Sequence, residues 1–221
     1  MPRVRGVGHR FGEDVVVSRR ECGDLPRLIV EYLIARCLEE GYGPLTPMNV
    51  VRLLAAALFI NPDAKDLVEA IDVHELARCF MYRVYKYPVY SQVVIEAIKE
   101  LWRDGRVEVR LVPVLENGGV TQVIDRGVRF RGSREVIADL ENGQYTRYGG
   151  WEGLIDRINN AINRFGSYST RKFRKYLHEK LGISTLYIES GADLIKYVGL
   201  IRRMREEGKK VSEEDRFIVE L

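Results

Sequence analysis

The chain has 221 residues, 46% of them hydrophobic and 30% charged, with a formal net charge of +3. That apolar content suffices for a sizeable core and excludes a disordered polyelectrolyte. No apolar run reaches the roughly 20 residues of a bilayer span. The first ten residues are polar and Gly-rich, unlike a signal peptide, so the chain is read as soluble and cytoplasmic, without membrane contact.

Two further compositional signals bear on habitat. Gln is confined to Gln92, Gln122 and Gln144, while Arg, Lys and Glu abound. Few thermolabile amides among many charges suit a thermophile, here read as archaeal. The three cysteines, Cys22, Cys37 and Cys79, have no C-x-x-C spacing. An odd count without a secretion signal reads as reduced, mostly buried thiols.

In chain order, residues 1–20 form a basic arm with Arg3, Arg5, Arg10, Arg19 and Arg20, and Val15 to Val17 as one short strand. Such arms reach into nucleic-acid grooves or merely solubilise. Residues 21–148 are expected to make a domain of helices plus a β-hairpin. Asp24 is a plausible N-cap for a helix ending near Gly41. Thr46-Pro47 opens a second helix with the preferred cap and first-turn proline. That helix is apolar nearly all round up to Ile60, which places it inside the core. Asn61-Pro62 ends it and starts a short helix to Ile71.

Asp72 and Glu75 have capping-box spacing for a helix over residues 73–86. Tyr82, Tyr85, Tyr87 and Tyr90 cluster near its end, as base-stacking rings or as core packing with hydroxyls at the surface. Val94, Ile95, Ile98, Leu101 and Trp102 then recur at helical spacing over 91–104. Gly105 stops that helix. A strand over 106–115 turns at Asn117-Gly118 and returns over 120–131. Residues 133–140 read as a short helix or a third strand. With a second turn signal at Asn142-Gly143, a meander of three or four strands is favoured. Gly149-Gly150 is a candidate hinge into a helical C-terminal part, 151–221. There Leu154, Ile155, Ile158 and Ile162 share one face. A helix carrying Phe173, Tyr176 and Leu177 follows, then a strand or loop at 186–188 and a last helix over 193–207.

The helix before the hairpin, over residues 46–132, resembles a winged helix-turn-helix domain. The resemblance makes 73–86 the lead-in helix, 91–103 the reading helix and 106–131 the wing. It implies that Ser91, Gln92, Lys99 and Arg103 face DNA in the major groove, while the wing grips backbone. Arg129 and Arg131 stand at the end of that wing. Glu96 and Glu100 share the reading face and would repel phosphate, and the hairpin is longer than a usual wing.

A second nucleic-acid signal is the run RFGSYSTRKFRKYLHEK at 164–180. Arg164, Arg171, Lys172, Arg174, Lys175 and Lys180 alternate with aromatic rings, Tyr168 among them, against a single acid, Glu179. Basic groups neutralise phosphates and rings stack on bases. The competing reading is a solvated helix face whose aromatics point to the core. The run also resembles the basic helix of tyrosine recombinases. Because no upstream arginine box and no nucleophilic tyrosine accompany it, an active recombinase is rejected.

His9, His74 and His178 lie apart from one another and from the cysteines, unlike zinc ligands. Gly6, Gly8 and Gly12 follow no strand, so they make no phosphate loop. No catalytic residue, metal or cofactor is therefore expected. The fold class is α+β. The expected function is non-catalytic nucleic-acid binding, regulatory or architectural, with DNA the favoured partner and a homo-oligomer possible. The alternative is a structural or assembly subunit of a virion or nucleoprotein complex.

Overall fold

A computed structural model describes residues 22–61, 71–84, 89–114, 119–143, 150–168, 171–173, 175–176 and 192–199. The expected basic arm, the short helix after Pro62, Tyr85, Tyr87, the Asn117-Gly118 turn, Arg174, Lys180 and the strand at 186–188 lie outside these residues. The architecture is α+β. The elements are α1 (Leu25–Glu39), α2 (Pro47–Phe59), a 3-10 helix (Glu75–Phe80), β1 (Arg83–Val84), β2 (Val89–Tyr90), α3 (Gln92–Arg103), β3 (Val107–Pro113), β4 (Val120–Arg126), α4 (Ser133–Asn142), α5 (Trp151–Phe165) and β5 (Ala192–Asp193).

α2 is the centre of the core. The Thr46 hydroxyl accepts from the Asn49 amide at 3.2 Å, with Pro47 in the first turn. Such a cap is worth about 1 kcal/mol. Every residue from Val50 to Phe59 is buried, Arg52 included. α1, α3 and α5 all pack on this helix. α3 places Val94, Ala97, Ile98 and Leu101 on one buried face. It ends in the motif that Gly105 permits: Gly105 has φ +71° and donates to the Trp102 carbonyl, and Arg106 donates to that of Leu101. An L side chain is strained at that φ, which is why glycine stops the helix here.

The hairpin has the expected antiparallel pairing, from Val107↔Arg126 to Pro113↔Val120. Leu45, between α1 and α2, adds one bridge to Ile124 and ties the hairpin to the helices. β4 stops at Arg126 rather than continuing to residue 131. From Gly127 the chain bends around the end of α3, where the Arg129 amide donates to the Gly105 carbonyl at 2.7 Å.

Three expectations are corrected. Within the expected helix over 73–86, the helical part is only the 3-10 helix Glu75–Phe80, capped by His74 rather than Asp72. Met81 takes a left-handed conformation at its end, and Arg83-Val84 leave it as a strand flanked by β2 and β5. Residues 133–142 are helical, because Val136 and Leu140 pack down onto α1. The described hairpin is therefore two-stranded, and Asn142-Gly143 ends a helix instead of turning a strand. Finally, Cys22 and Cys79 form a disulfide, joining the start of α1 to the 3-10 helix. Cys37 alone is a free, buried thiol. No helix among the described residues is long and apolar enough to cross a membrane.

Candidate nucleic-acid interface

α3 presents Gln92, Lys99 and Arg103 to solvent. Gln92 is held locally: its amide oxygen accepts from the Tyr90 hydroxyl at 2.7 Å, and its amide nitrogen donates to Glu96 at 3.2 Å. Lys99 and Arg103 form no ion pair among the described residues. Ser91 is not a contact residue. It is fully buried as the N-cap of α3, accepting from the Val94 amide at 3.2 Å and donating to the Phe80 carbonyl. Tyr82, from the tyrosine cluster, is also fully buried, and its hydroxyl donates to the Val51 carbonyl at 2.7 Å. Burial pushes its pKa up, so it is a core phenol and no stacking platform.

At the end of the hairpin, Arg129 is exposed. Arg131 is not available to a phosphate. Its guanidinium is bonded to the buried Glu31 at 2.9 and 2.6 Å and also meets Asp139. These carboxylates raise its pKa further above that of an ordinary arginine. The sequence gives no sign of this pairing, since Glu31 and Arg131 are 100 residues apart.

The described residues of the basic run divide between core and solvent. Phe165 and Phe173 are buried and stack with ring centroids 5.1 Å apart. Tyr168 meets Phe165 edge-on, and Tyr176 packs on the same ring at 4.6 Å. The aromatics thus belong largely to the core, as the competing reading held. The cations point outward: Arg164, Arg171, Lys172 and Lys175 are all exposed. The Lys172 ammonium sits 3.9 Å from the centre of the Tyr168 ring, and the Arg164 guanidinium 5.8 Å from that of Phe165. No Asp or Glu occurs between Arg157 and Tyr176.

Beside this run lies a cleft of about 880 Å³. Its walls come from three places distant in sequence: the α1–α2 connection with Tyr42, Thr46 and Asn49, the outer hairpin with Val114 and Thr121, and the end of α5 with Ser167, Tyr168 and Arg171. Gly166 lets two of the walls meet. A Cβ there would stand 2.6 Å from the Ile162 carbonyl oxygen and 2.9 Å from the Tyr42 ring. Arg171 is the one charged side chain among the described lining residues. Cys37 lies at the floor, its thiol pushed up to about 12 by burial, and is no nucleophile. Sequence reasoning missed Tyr42 and Thr121; Ser167 was legible from the sequence as a neutral phosphate contact within the basic run. The one local signal was a lone tyrosine between glycines, Gly41-Tyr42-Gly43-Pro44.

Among the described residues no group of three His, Cys, Asp or Glu is placed to hold a metal ion. Comparison with family models, with characterised proteins and with solved structures finds no match to this chain.

Proposed function

We propose that this chain is a non-catalytic nucleic-acid-binding protein, with DNA the favoured ligand, whose main phosphate contacts are Arg164, Arg171, Lys172 and Lys175. The observation that carries the reading is the stretch from Arg157 to Tyr176, which holds no Asp or Glu and exposes Arg164, Arg171, Lys172 and Lys175, beside a cleft with one arginine and no carboxylate among its described lining. Solvated helix faces on a near-neutral chain normally mix both signs of charge. A one-sign face draws polyanions by neutralising phosphates and releasing counterions.

A winged-helix-like scaffold is kept in altered form, since the expected lead-in helix over 73–86 is reduced to the 3-10 helix Glu75–Phe80 and α1 stands in its place. Support comes from α1, α2 and α3 packing together and from α3 running through Gly105 into the hairpin, with the Leu45–Ile124 bridge fastening the two. α3 itself is the weaker contact surface, since Glu96 and Glu100 flank Lys99. The disulfide and the Arg/Lys/Glu-rich composition together favour an intracellular protein of a hyperthermophile, a setting in which disulfides persist.

The test is salt dependence. Each phosphate contact adds about 0.9 to the slope of log affinity against log salt on duplex DNA, and about 0.7 on single strands. Replacing Arg171, Lys172 and Lys175 by alanine should therefore flatten the slope by about 2 to 3. Replacing Gln92, Lys99 and Arg103 should change it less. An unchanged slope in the first variant would defeat the assignment.

One observation favours the second reading, an assembly subunit. The hairpin face that buries Val107 and Ile124 at its root continues outward as Leu111 and Val120, each 70% exposed. A concentration-dependent mass in solution that Leu111→Ser abolishes would support that role.

A further inference from the structure

We infer that the cleft between the α1–α2 connection, the outer hairpin and the end of α5 holds an unpaired nucleotide, so that the preferred ligand is a single strand or a locally opened duplex. This rests on the nucleic-acid reading above and narrows it.

A volume of about 880 Å³ lies within the roughly 300–1,000 Å³ of pockets that enclose a small molecule. A base with its sugar fits a recess of that size. A paired duplex, presenting its phosphates on a convex surface, touches the rim and leaves the recess empty. Chemistry agrees with shape. Tyr42 and Tyr168 line the walls and are half-buried, the Tyr168 ring with the Lys172 ammonium over it. Aromatic rings accept any base, because every base has a π-face. Thr121 and Ser167 add hydroxyls suited to base edges, the mode by which unstacked bases are read. Arg171 supplies one positive charge, and it forms no ion pair among the described residues. The phosphates on either side of the held nucleotide then run along Arg164, Lys172 and Lys175 at the exposed rim.

Polar groups on every wall and Arg171 at the edge fit a polar, anionic ligand better than a purely apolar one, although Leu45, Leu53, Val114, Phe165 and Phe173 also line the cleft. Pockets for apolar ligands are mostly apolar, with few polar groups.

The experiment is a fluorescence-anisotropy titration of the full chain with a labelled oligothymidylate and with a mixed-sequence duplex of equal length. Two variants fill the cleft without removing charge or adding a ring: Thr121→Met on the hairpin and Ser167→Leu at an exposed turn. The expected result is single-strand binding about tenfold or more tighter than duplex binding, the worth of about one stacked base. Both variants should erase that difference and leave duplex affinity and its salt slope intact. Duplex binding equal to or tighter than single-strand binding would overturn the inference alone, as would single-strand affinity untouched by both variants. Binding to neither ligand would overturn the functional reading together with it. A folding-independent check uses the unmodified protein and an oligonucleotide carrying 5-iodouracil. Photocrosslinks at Tyr42 or Tyr168 support the cleft, and crosslinks confined to α3, at Trp102, contradict it.

Discussion

Glu31 on α1 and Arg131 after the hairpin form a two-pronged ion pair, with nitrogen–oxygen distances of 2.9 and 2.6 Å. Both side chains are largely buried, and Arg106 approaches the same carboxylate at 3.9 Å. The pair fastens the chain leaving the hairpin to the helical core. Removing one partner strands the other charge in a dry site. Arg131→Ala should therefore cost about 3–5 kcal/mol in denaturant unfolding. The double substitution Glu31→Leu, Arg131→Leu should recover most of that loss. A double variant no more stable than Arg131→Ala would contradict the account of this pair.

The Cys22–Cys79 disulfide closes a loop with a sequence separation of 57. Chain entropy gives about 4 kcal/mol for a loop of that length. Reduction should lower the thermal midpoint, and Cys22→Ala with Cys79→Ala should reproduce the fall without reductant. Thiol titration of the denatured protein should find one thiol before reduction, Cys37, and all three after it. Three thiols before reduction would show that the bridge does not form.

His74 caps the 3-10 helix, its Nδ1 accepting from the Leu76 amide at 3.1 Å. That role needs the neutral ring. Burial, then the Arg157 guanidinium, holds its pKa below the ordinary 6.5. With the folded pKa depressed, the unfolded chain takes up the proton first as pH falls. Stability is fully present above about 6.5 and declines below it, levelling off beneath the folded pKa. The thermal midpoint should fall between pH 7 and pH 6. His74→Asn, which keeps an acceptor but cannot titrate, should flatten that profile, and an unaltered profile would remove His74 as its cause.

Leu54 lies in the middle of α2 and is fully buried. Leu54→Ala should cost about 2–5 kcal/mol, because the neighbouring helices cannot fully close the space. An unchanged thermal midpoint would mean that α2 is not the centre of the core.

How much of this was legible from residues alone depended on the range of the interaction. Thr46-Pro47, Gly105 and the alternating strands of the hairpin act through neighbours in sequence, and each element appeared where its local chemistry placed it. The buried face of α5, Leu154, Ile155, Ile158 and Ile162, was equally plain from its spacing. Most of the failures are long-range; the replacement of Asp72 by His74 as the cap of the 3-10 helix is the local one. Nothing near Cys22 announces Cys79. The run 73–86 has helical spacing, yet Met81 turns left-handed so that Tyr82 reaches the Val51 carbonyl and Val84 joins β2 and β5. Residues 133–142 fit either period until α1 is present, where Glu39 accepts from the Ser133 amide at 2.9 Å and so holds the start of α4. The basic run was visible, but its cleft was not, because the walls come from three separate segments.

The central claim is that the exposed basic residues around Arg171 bind nucleic acid through phosphate contacts. The most direct measurement is the affinity of the unmodified full chain for a single strand and a duplex over a series of salt concentrations. The account predicts binding at low salt that weakens linearly in log–log form, with a slope of about −2 to −4 for three or four contacts. No binding to either ligand at the lowest salt, or an affinity indifferent to salt, would contradict it.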